Sequence, residues 1–357
     1  MDPAAAPQTP LDITSMTRKE LTSFLTEAWG EKAFRAKQLW TWLYVKLADD
    51  VSQMTDLSKD FRARLAEVMP PLRPQVGDHL VSSCGTEKWL LDLHDGQQIE
   101  VVFIPEEDRG TLCVSSQVGC TLNCPFCATG AQGFARNLTT TEIVQQVMFA
   151  RAELAKRDKR VTNIVLMGMG EPLYNYDNVA QAVRIILDDA GLAFGTRKVT
   201  LSTAGLVPKM LQAGMDLGVN LAISLHAVRD ELRDELVPIN RKHNLAALRK
   251  ACKAYPLKSG RRITWEYVML DGVNDSDADA RTFARYLKDI PSKINLIPFN
   301  PWEGVRYSAS PRSRIVRFQE ILNQSGIVTV IRESRGDEIA AACGQLKGGV
   351  QGAKKRI

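Results

Sequence analysis

The chain has 357 residues, of which 45% are hydrophobic and 24% charged, with a formal charge of +5. This is the profile of a soluble, well-cored protein longer than one ordinary domain, and the mild basic excess permits an anionic partner without requiring one. Residues 1–7 lack the basic and apolar regions of a secretory signal, and apolar runs such as 164–167 are too short to cross a bilayer, so a cytoplasmic protein with no membrane partner is expected.

In chain order, residues 1–14 read as a disordered tail and residues 15–75 as a small helical accessory domain. Thr17 and Glu20 form a capping-box pattern, Phe34, Gln38, Leu39 and Trp42 follow a helical period, and Pro70, Pro71 and Pro74 close the region. Residues 76–107 read as a β-hairpin extension, with a strand at 88–93, a turn at His94-Asp95-Gly96 and a return at 98–104. From residue 108 strands and helices alternate. Apolar strands are legible at 111–117, 162–167, 198–203, 219–225, 262–270 and 293–298. Helices follow at 141–157, 177–189, 206–217, 244–254, 277–289 and 313–324. Six such units predict an α/β fold, a partial (β/α)6 barrel over residues 108–347, with a parallel sheet inside and helices outside. The glycine-rich, basic residues 348–357 read as a second disordered tail.

Active groups in such a sheet gather at the C-terminal ends of the strands. Cys120 follows the first strand, Gly168-Met169-Gly170-Glu171-Pro172 the second, and Pro298-Phe299-Asn300-Pro301 the sixth. Ser202-Thr203 ends the third strand and Ser224-Leu225-His226 the fourth.

Seven cysteines is an odd number, and three fall within eight residues, which in a reducing compartment points to metal binding or catalysis before disulfides. Cys120, Cys124 and Cys127 have the spacing C-x3-C-x2-C, so three thiolates on one loop can bind three irons of a [4Fe–4S] cluster. The fourth iron is then free to chelate S-adenosylmethionine (SAM) and reduce its sulfonium. Two plainer readings compete: a structural zinc site with His226 as fourth ligand, and a thioredoxin-like Cys-Pro-Phe-Cys pair. Gly168 and Gly170 allow close backbone approach to a ligand, and Glu171 is placed to accept from the SAM ammonium. Cys84 and Cys252 read as small buried hydrophobes, whereas Cys343 sits in a glycine-flanked segment that reads as a flexible loop. On spacing alone Glu100 is a solvated strand residue.

At these residues the sequence resembles the RlmN family of RNA methyltransferases. The matching stretches are Thr111 through Cys120, Met167-Gly168-Met169-Gly170-Glu171-Pro172, Ser224-Leu225-His226-Ala227, Ile297-Pro298-Phe299-Asn300-Pro301 and Ala341-Ala342-Cys343-Gly344-Gln345-Leu346. The resemblance implies a radical SAM enzyme that methylates adenosine C2 in 23S rRNA near the peptidyl transferase centre and in tRNA just 3′ of the anticodon. It implies that Cys120, Cys124 and Cys127 hold the cluster, and that Gly170, Glu171, Ser202, Ser224, Leu225, His226 and Asn300 contact SAM. Cys343 would carry the methyl group as S-methylcysteine, Glu100 would accept the C2 proton, and Cys113 would resolve the adduct through a transient disulfide with Cys343. Two SAM molecules would serve each turnover, one as methyl donor and one as radical source. A flavodoxin or ferredoxin would supply electrons, and the enzyme would act as a monomer. Lys32, Arg35 and Lys37, beside Trp40 and Trp42, would suit an RNA surface, although on the residues alone a basic solvated helix face over core tryptophans is the better reading. The nearest alternative is the Cfr type, which methylates adenine C8.

Overall fold

The computed structural model describes residues 12–352, so most of the expected tail at 1–14 and the end of that at 348–357 lie outside it; Ile13 and Thr14 are instead buried in a short helical turn, Ile13–Ser15. The N-terminal region is helical, as its caps and periodicity predict: α1 spans Arg18–Glu27, α2 Ala33–Tyr44 and α3 Lys59–Val68. The Thr17 hydroxyl accepts the Glu20 N–H at 3.4 Å while Glu20 Oε2 accepts the Thr17 N–H at 2.8 Å, which satisfies two otherwise orphaned donors of α1. Leu21 and Leu25 of α1, Leu39 and Leu43 of α2 and Phe61 of α3 face one core shared with the rest of the chain. Trp40 is fully buried in that core, its ring 4.3 Å from Tyr44, so it cannot belong to an RNA surface. Trp42 is half-buried, with the Lys46 ammonium 3.5 Å over its ring, and Lys32 and Lys37 are exposed.

The remaining strands are β1 Gln75–Val81, β2 Glu87–Asp92, β3 Gln98–Glu106, β4 Arg109–Cys113, β5 Gln117–Gly119, β6 Phe134–Asn137, β7 Asn163–Leu166, β8 Val199–Thr203, β9 Asn220–Ser224, β10 Ile263–Met269, β11 Ser292–Pro298 and β12 Thr329–Ile331. The helices among them are α4 Ala128–Gln132, α5 Thr140–Ala155, α6 Tyr176–Leu187, α7 Val207–Leu217, α8 Asp230–Leu236, α9 Leu245–Ala254, α10 Asp277–Tyr286 and α11 Arg312–Gln324. Ten strands form one sheet in the order β1-β2-β3-β4-β7-β8-β9-β10-β11-β12. From β4 to β12 every neighbour is parallel, which gives the expected six barrel strands and adds a short seventh, β12. The hairpin is therefore not separate: β1, β2 and β3 continue the barrel sheet antiparallel from β4. Strand β1 is exposed along its whole length, so it carries no alternating apolar signal.

The first barrel strand is shorter than its apolar run suggests. It ends at Cys113, and the chain then crosses the sheet end, with the Ser116 N–H on the Met169 carbonyl at 2.8 Å, before β5 pairs with β6 as a separate ribbon. The start of the expected C-terminal tail is also held: Gln132 Nε2 donates to the Gly348 carbonyl at 2.6 Å and the Gln98 N–H to that of Gly349 at 3.2 Å. Among the described residues no helix is long and apolar enough to cross a membrane.

Candidate active site

The cysteine loop leaves β5 through Gly119, whose φ of +72° and the Gly133 carbonyl, 2.0 Å from where a Cβ would stand, admit no side chain. The Cys120 N–H bonds that same carbonyl at 2.8 Å, and Cys127 caps α4. The three thiols are half-buried against an apolar wall that includes Leu122, Phe126, Ala204, Val237 and Phe299. Burial, and then the neighbouring thiols, push Cys120 and Cys124 above the ordinary thiol range. Three sulfurs on one loop against an apolar wall are soft donors that can each take one iron, so the donor set fits an iron–sulfur core.

Two simpler readings of the loop find no support. Among the described residues no three His, Cys, Asp or Glu side chains are disposed around a single metal ion, whereas a cubane takes one thiolate at each iron. A thioredoxin-like pair needs a thiol of lowered pKa, and that of Cys124 is raised.

These cysteines border a cleft of about 1000 Å³, its open mouth included, at the C-terminal ends of the parallel strands. Gly168, Gly170, Glu171, Ser202, Ser224 and His226 line the same cleft. Gly170 has φ +99°, and a Cβ there would fall 2.5 Å from that of Gln117. Buried Glu171 accepts the N–H groups of Ala204 at 2.8 Å and Leu173 at 3.1 Å, and burial raises its pKa. His226 stands at φ +58°. Its Nδ1 accepts the Val268 N–H at 3.1 Å, which leaves the proton on Nε2. Burial, then the Arg233 charge, pushes its pKa down to about 3, so the ring stays neutral at physiological pH. Glycines for close approach, a carboxylate for an ammonium and donors at two further strand ends fit SAM.

Two of the expected SAM contacts stand outside the cleft wall. The Leu225 side chain is wholly buried, its N–H donates to the Glu266 carbonyl at 3.0 Å and its carbonyl accepts from Arg233 at 3.0 Å. Asn300 Oδ1 accepts from Ser334 Oγ at 2.7 Å, and its Nδ2 points at the Cys343 carbonyl at 3.5 Å.

Cys343 borders the cleft as well. Its surface is open to the cleft, but protein surrounds it closely, and burial, then Glu266 and Cys127, raise its pKa. Its segment is pinned rather than free: the Ala128 N–H donates to the Gly344 carbonyl at 2.8 Å and Thr129 Oγ1 to that of Leu346 at 2.8 Å. Cys113, at the end of β4, has its pKa raised by burial and then by the charge of Cys343. Glu100 on β3 is buried, not solvated. Lys88 Nζ lies 2.8 Å from its Oε1, and its Oε2 accepts the Lys347 N–H at 2.7 Å.

Lys88, Gln117, Arg233 and Glu266 escape sequence reasoning. Gln117 Oε1 accepts the Glu171 N–H at 3.0 Å and, more weakly, the Thr121 N–H at 3.4 Å, which ties the glycine segment to the cysteine loop. A buried glutamine beside the motif is the only local hint of it. Cys252 is buried, as expected, and its pKa is pushed up to about 12 by burial. Cys84 is instead exposed, with hydrogen bonds from its neighbours lowering its pKa to about 7.

Residues 114–284 match the model of the radical SAM superfamily, and residues 11–70 that of the ribosomal RNA large subunit methyltransferase N-terminal domain. The chain is 71% identical, over 97% of its length and 97% of the relative's, to the dual-specificity RNA methyltransferase RlmN of Magnetococcus marinus. It is 53% identical to that of Rhodospirillum rubrum, covering 95% of this chain and 80% of the relative. The crystal structure of a radical SAM methyltransferase from Sphaerobacter thermophilus superposes with a TM-score of 0.91 at 44% identity, over 95% of this chain and 99% of that one.

Proposed function

Since this chain belongs to the RlmN family of dual-specificity RNA methyltransferases, we propose that its cleft places a methyl group on adenosine C2 of 23S rRNA and of tRNA, with Cys343 as the carrier. The observation that carries this reading is that Cys343 borders the same cleft as Cys120, Cys124 and Cys127. Adenine C2 lies between two ring nitrogens and is too electron-poor to attack a sulfonium methyl. When bound at these cysteines, a [4Fe–4S] cluster and SAM supply a methyl group and a carbon radical strong enough to activate it.

The residues of the chain do the rest. Cys120, Cys124 and Cys127 would hold the irons of the cluster, and Glu171 would receive the SAM ammonium. His226, held neutral, offers its Nε2–H to the cleft. Cys343 gives up its thiol proton, takes the methyl group and holds it toward the RNA base. Glu100 receives the C2 proton as general base. Once the adduct has passed its unpaired electron to a one-electron acceptor such as the oxidised donor protein, the Cys113 thiolate would attack the sulfur of Cys343; the S–CH2 bond breaks, its electron pair stays on the carbon, which takes a proton to become the C2 methyl, and a reductant later returns the disulfide to two thiols. Thiols react as thiolates, so Cys113, its pKa raised by burial, must give up its proton before it attacks.

The helical region at 15–75 is assigned to RNA contact, a flavodoxin or ferredoxin to electron supply, and the working form to a cytoplasmic monomer. All seven cysteines are free, which suits a reducing compartment. Nucleoside mass spectrometry of rRNA and tRNA from a deletion strain tests the reading. It predicts loss of 2-methyladenosine from both RNA classes and its return with this chain; appearance of 8-methyladenosine instead would overturn it.

A further inference from the structure

Arg233 on α8 has no exposed surface. Its guanidinium donates to the carbonyls of Ala204 at 2.7 Å, Leu225 at 3.0 Å and Ser224 at 3.2 Å, and to Asn240 Oδ1 at 2.9 Å. All four acceptors are neutral. The carboxylates of Asp230 and Asp234 are one step removed, each accepting from Asn240 Nδ2, at 2.9 and 2.7 Å. A buried charge without a direct ionic partner is expensive, and guanidinium does not escape the cost by losing its proton. Such a group persists where a negative charge close by compensates it.

Beyond those two carboxylates, the guanidinium adjoins the cleft floor. Ala204 follows β8 and Ser224 ends β9, so the guanidinium sits behind the two strand ends that border the cleft beside Cys124. Cys124 packs against the apolar cluster that contains Ala204. Ala204 also donates its N–H to Glu171, so one residue joins the arginine to the expected SAM-ammonium acceptor. An iron–sulfur core on three thiolates carries a net negative charge and gains another on one-electron reduction. A fixed positive charge behind it favours the reduced state.

We propose that Arg233 is the buried counter-charge of the cluster, and that its guanidinium makes reduction by a low-potential one-electron donor easier. The proposal rests on the cluster being held by Cys120, Cys124 and Cys127. It assigns Arg233 a positioning and electrostatic part, with no contact to the reacting atoms.

The test is a mediated redox titration of the full-length, anaerobically reconstituted protein, with dithionite as reductant and the electron paramagnetic resonance signal of the reduced cluster as readout. Arg233→Gln should shift the reduced-to-oxidised ratio at fixed potential about tenfold toward oxidised, about 59 mV for a one-electron couple. Arg233→Lys keeps the charge and loses the fork, so it should melt earlier yet stay within about twofold of the wild-type ratio. Asp234→Asn, a half-buried change that leaves Arg233 in place, should move the ratio the other way, by about twofold. An Arg233→Gln protein with full iron and an unmoved midpoint overturns the proposal. So does Arg233→Lys with a midpoint as low as that of glutamine, or Asp234→Asn with no shift toward reduced, and either decides the matter if the glutamine variant does not fold. Absence of iron from the wild-type protein would instead count against the cluster assignment.

Discussion

Lys88 Nζ stands 2.8 Å from Glu100 Oε1, with both side chains nearly buried. The same ammonium donates to the Ala340 carbonyl at 3.2 Å, and Glu100 Oε2 accepts the Lys347 N–H. The pair thus grips the Cys343 segment three residues before the cysteine and four after it, which ties the proposed proton acceptor to the backbone of the carrier's segment.

Removing either partner leaves a buried charge alone. Lys88→Met and Glu100→Gln should each destabilise the apo-protein by about 3–5 kcal/mol, and the double variant by much less than their sum. Urea unfolding measures all three; additive losses would show that the two groups do not interact. Glu100→Gln should also stop methyl transfer to RNA while SAM cleavage continues.

Cys120→Ala, Cys124→Ala and Cys127→Ala should each lose the brown colour of the anaerobically purified protein and its SAM cleavage, because an iron loses its thiolate. Cys252→Ala should keep both, since Cys252 is a buried core residue of α9. Iron content and visible absorption give the answer.

Gly170→Ala would place a Cβ 2.5 Å from that of Gln117, at a φ of +99°. Combined strain and displacement should cost roughly 1–3 kcal/mol and weaken SAM binding by more than tenfold. Equilibrium binding to the reconstituted protein checks this, and an unchanged affinity would remove the glycine segment from the SAM site.

His226 carries a pH dependence of known sign. Its pKa falls from 6.5 in the ordinary state to about 3 in the fold, so below pH 6.5 the unfolded chain binds a proton that the folded chain refuses. The stability held by the neutral ring is complete above pH 6.5 and is lost as the pH falls toward 3, with a limiting slope of about 1.4 kcal/mol per pH unit. Wild type minus His226→Gln, compared by denaturant unfolding of the apo-protein from pH 4 to 8, should show that difference. Parallel curves would mean that the ring is protonated in the fold.

The parts of this molecule written locally were legible in its sequence. The C-x3-C-x2-C spacing lies on one loop, the capping box on one helical turn, and the six longer barrel strands each carry an apolar run. Three features were hidden for three reasons. Strand β1 is exposed on both faces and shows no periodicity. Lys88 reads as an ordinary strand lysine until the fold brings it to Ala340 across 252 positions. Arg233 lies in a charged helical stretch, Asp230–Leu236, and only the closure of β8 and β9 over it makes it a buried cation. Trp40 went the other way: beside lysines it suggested an RNA surface, and packing on Tyr44 put it in the core.

The central claim is that Cys343 carries the methyl group and Cys113 releases the product. A denaturing gel of Cys113→Ala expressed with its RNA tests it most directly. Without the resolving thiol, the protein should accumulate covalently joined to RNA, as a slow band abolished by nuclease. Cys343→Ala and the double variant should show no such band, because the carrier is missing. A Cys113→Ala protein that methylates RNA at the normal rate and traps none would contradict the two-cysteine account.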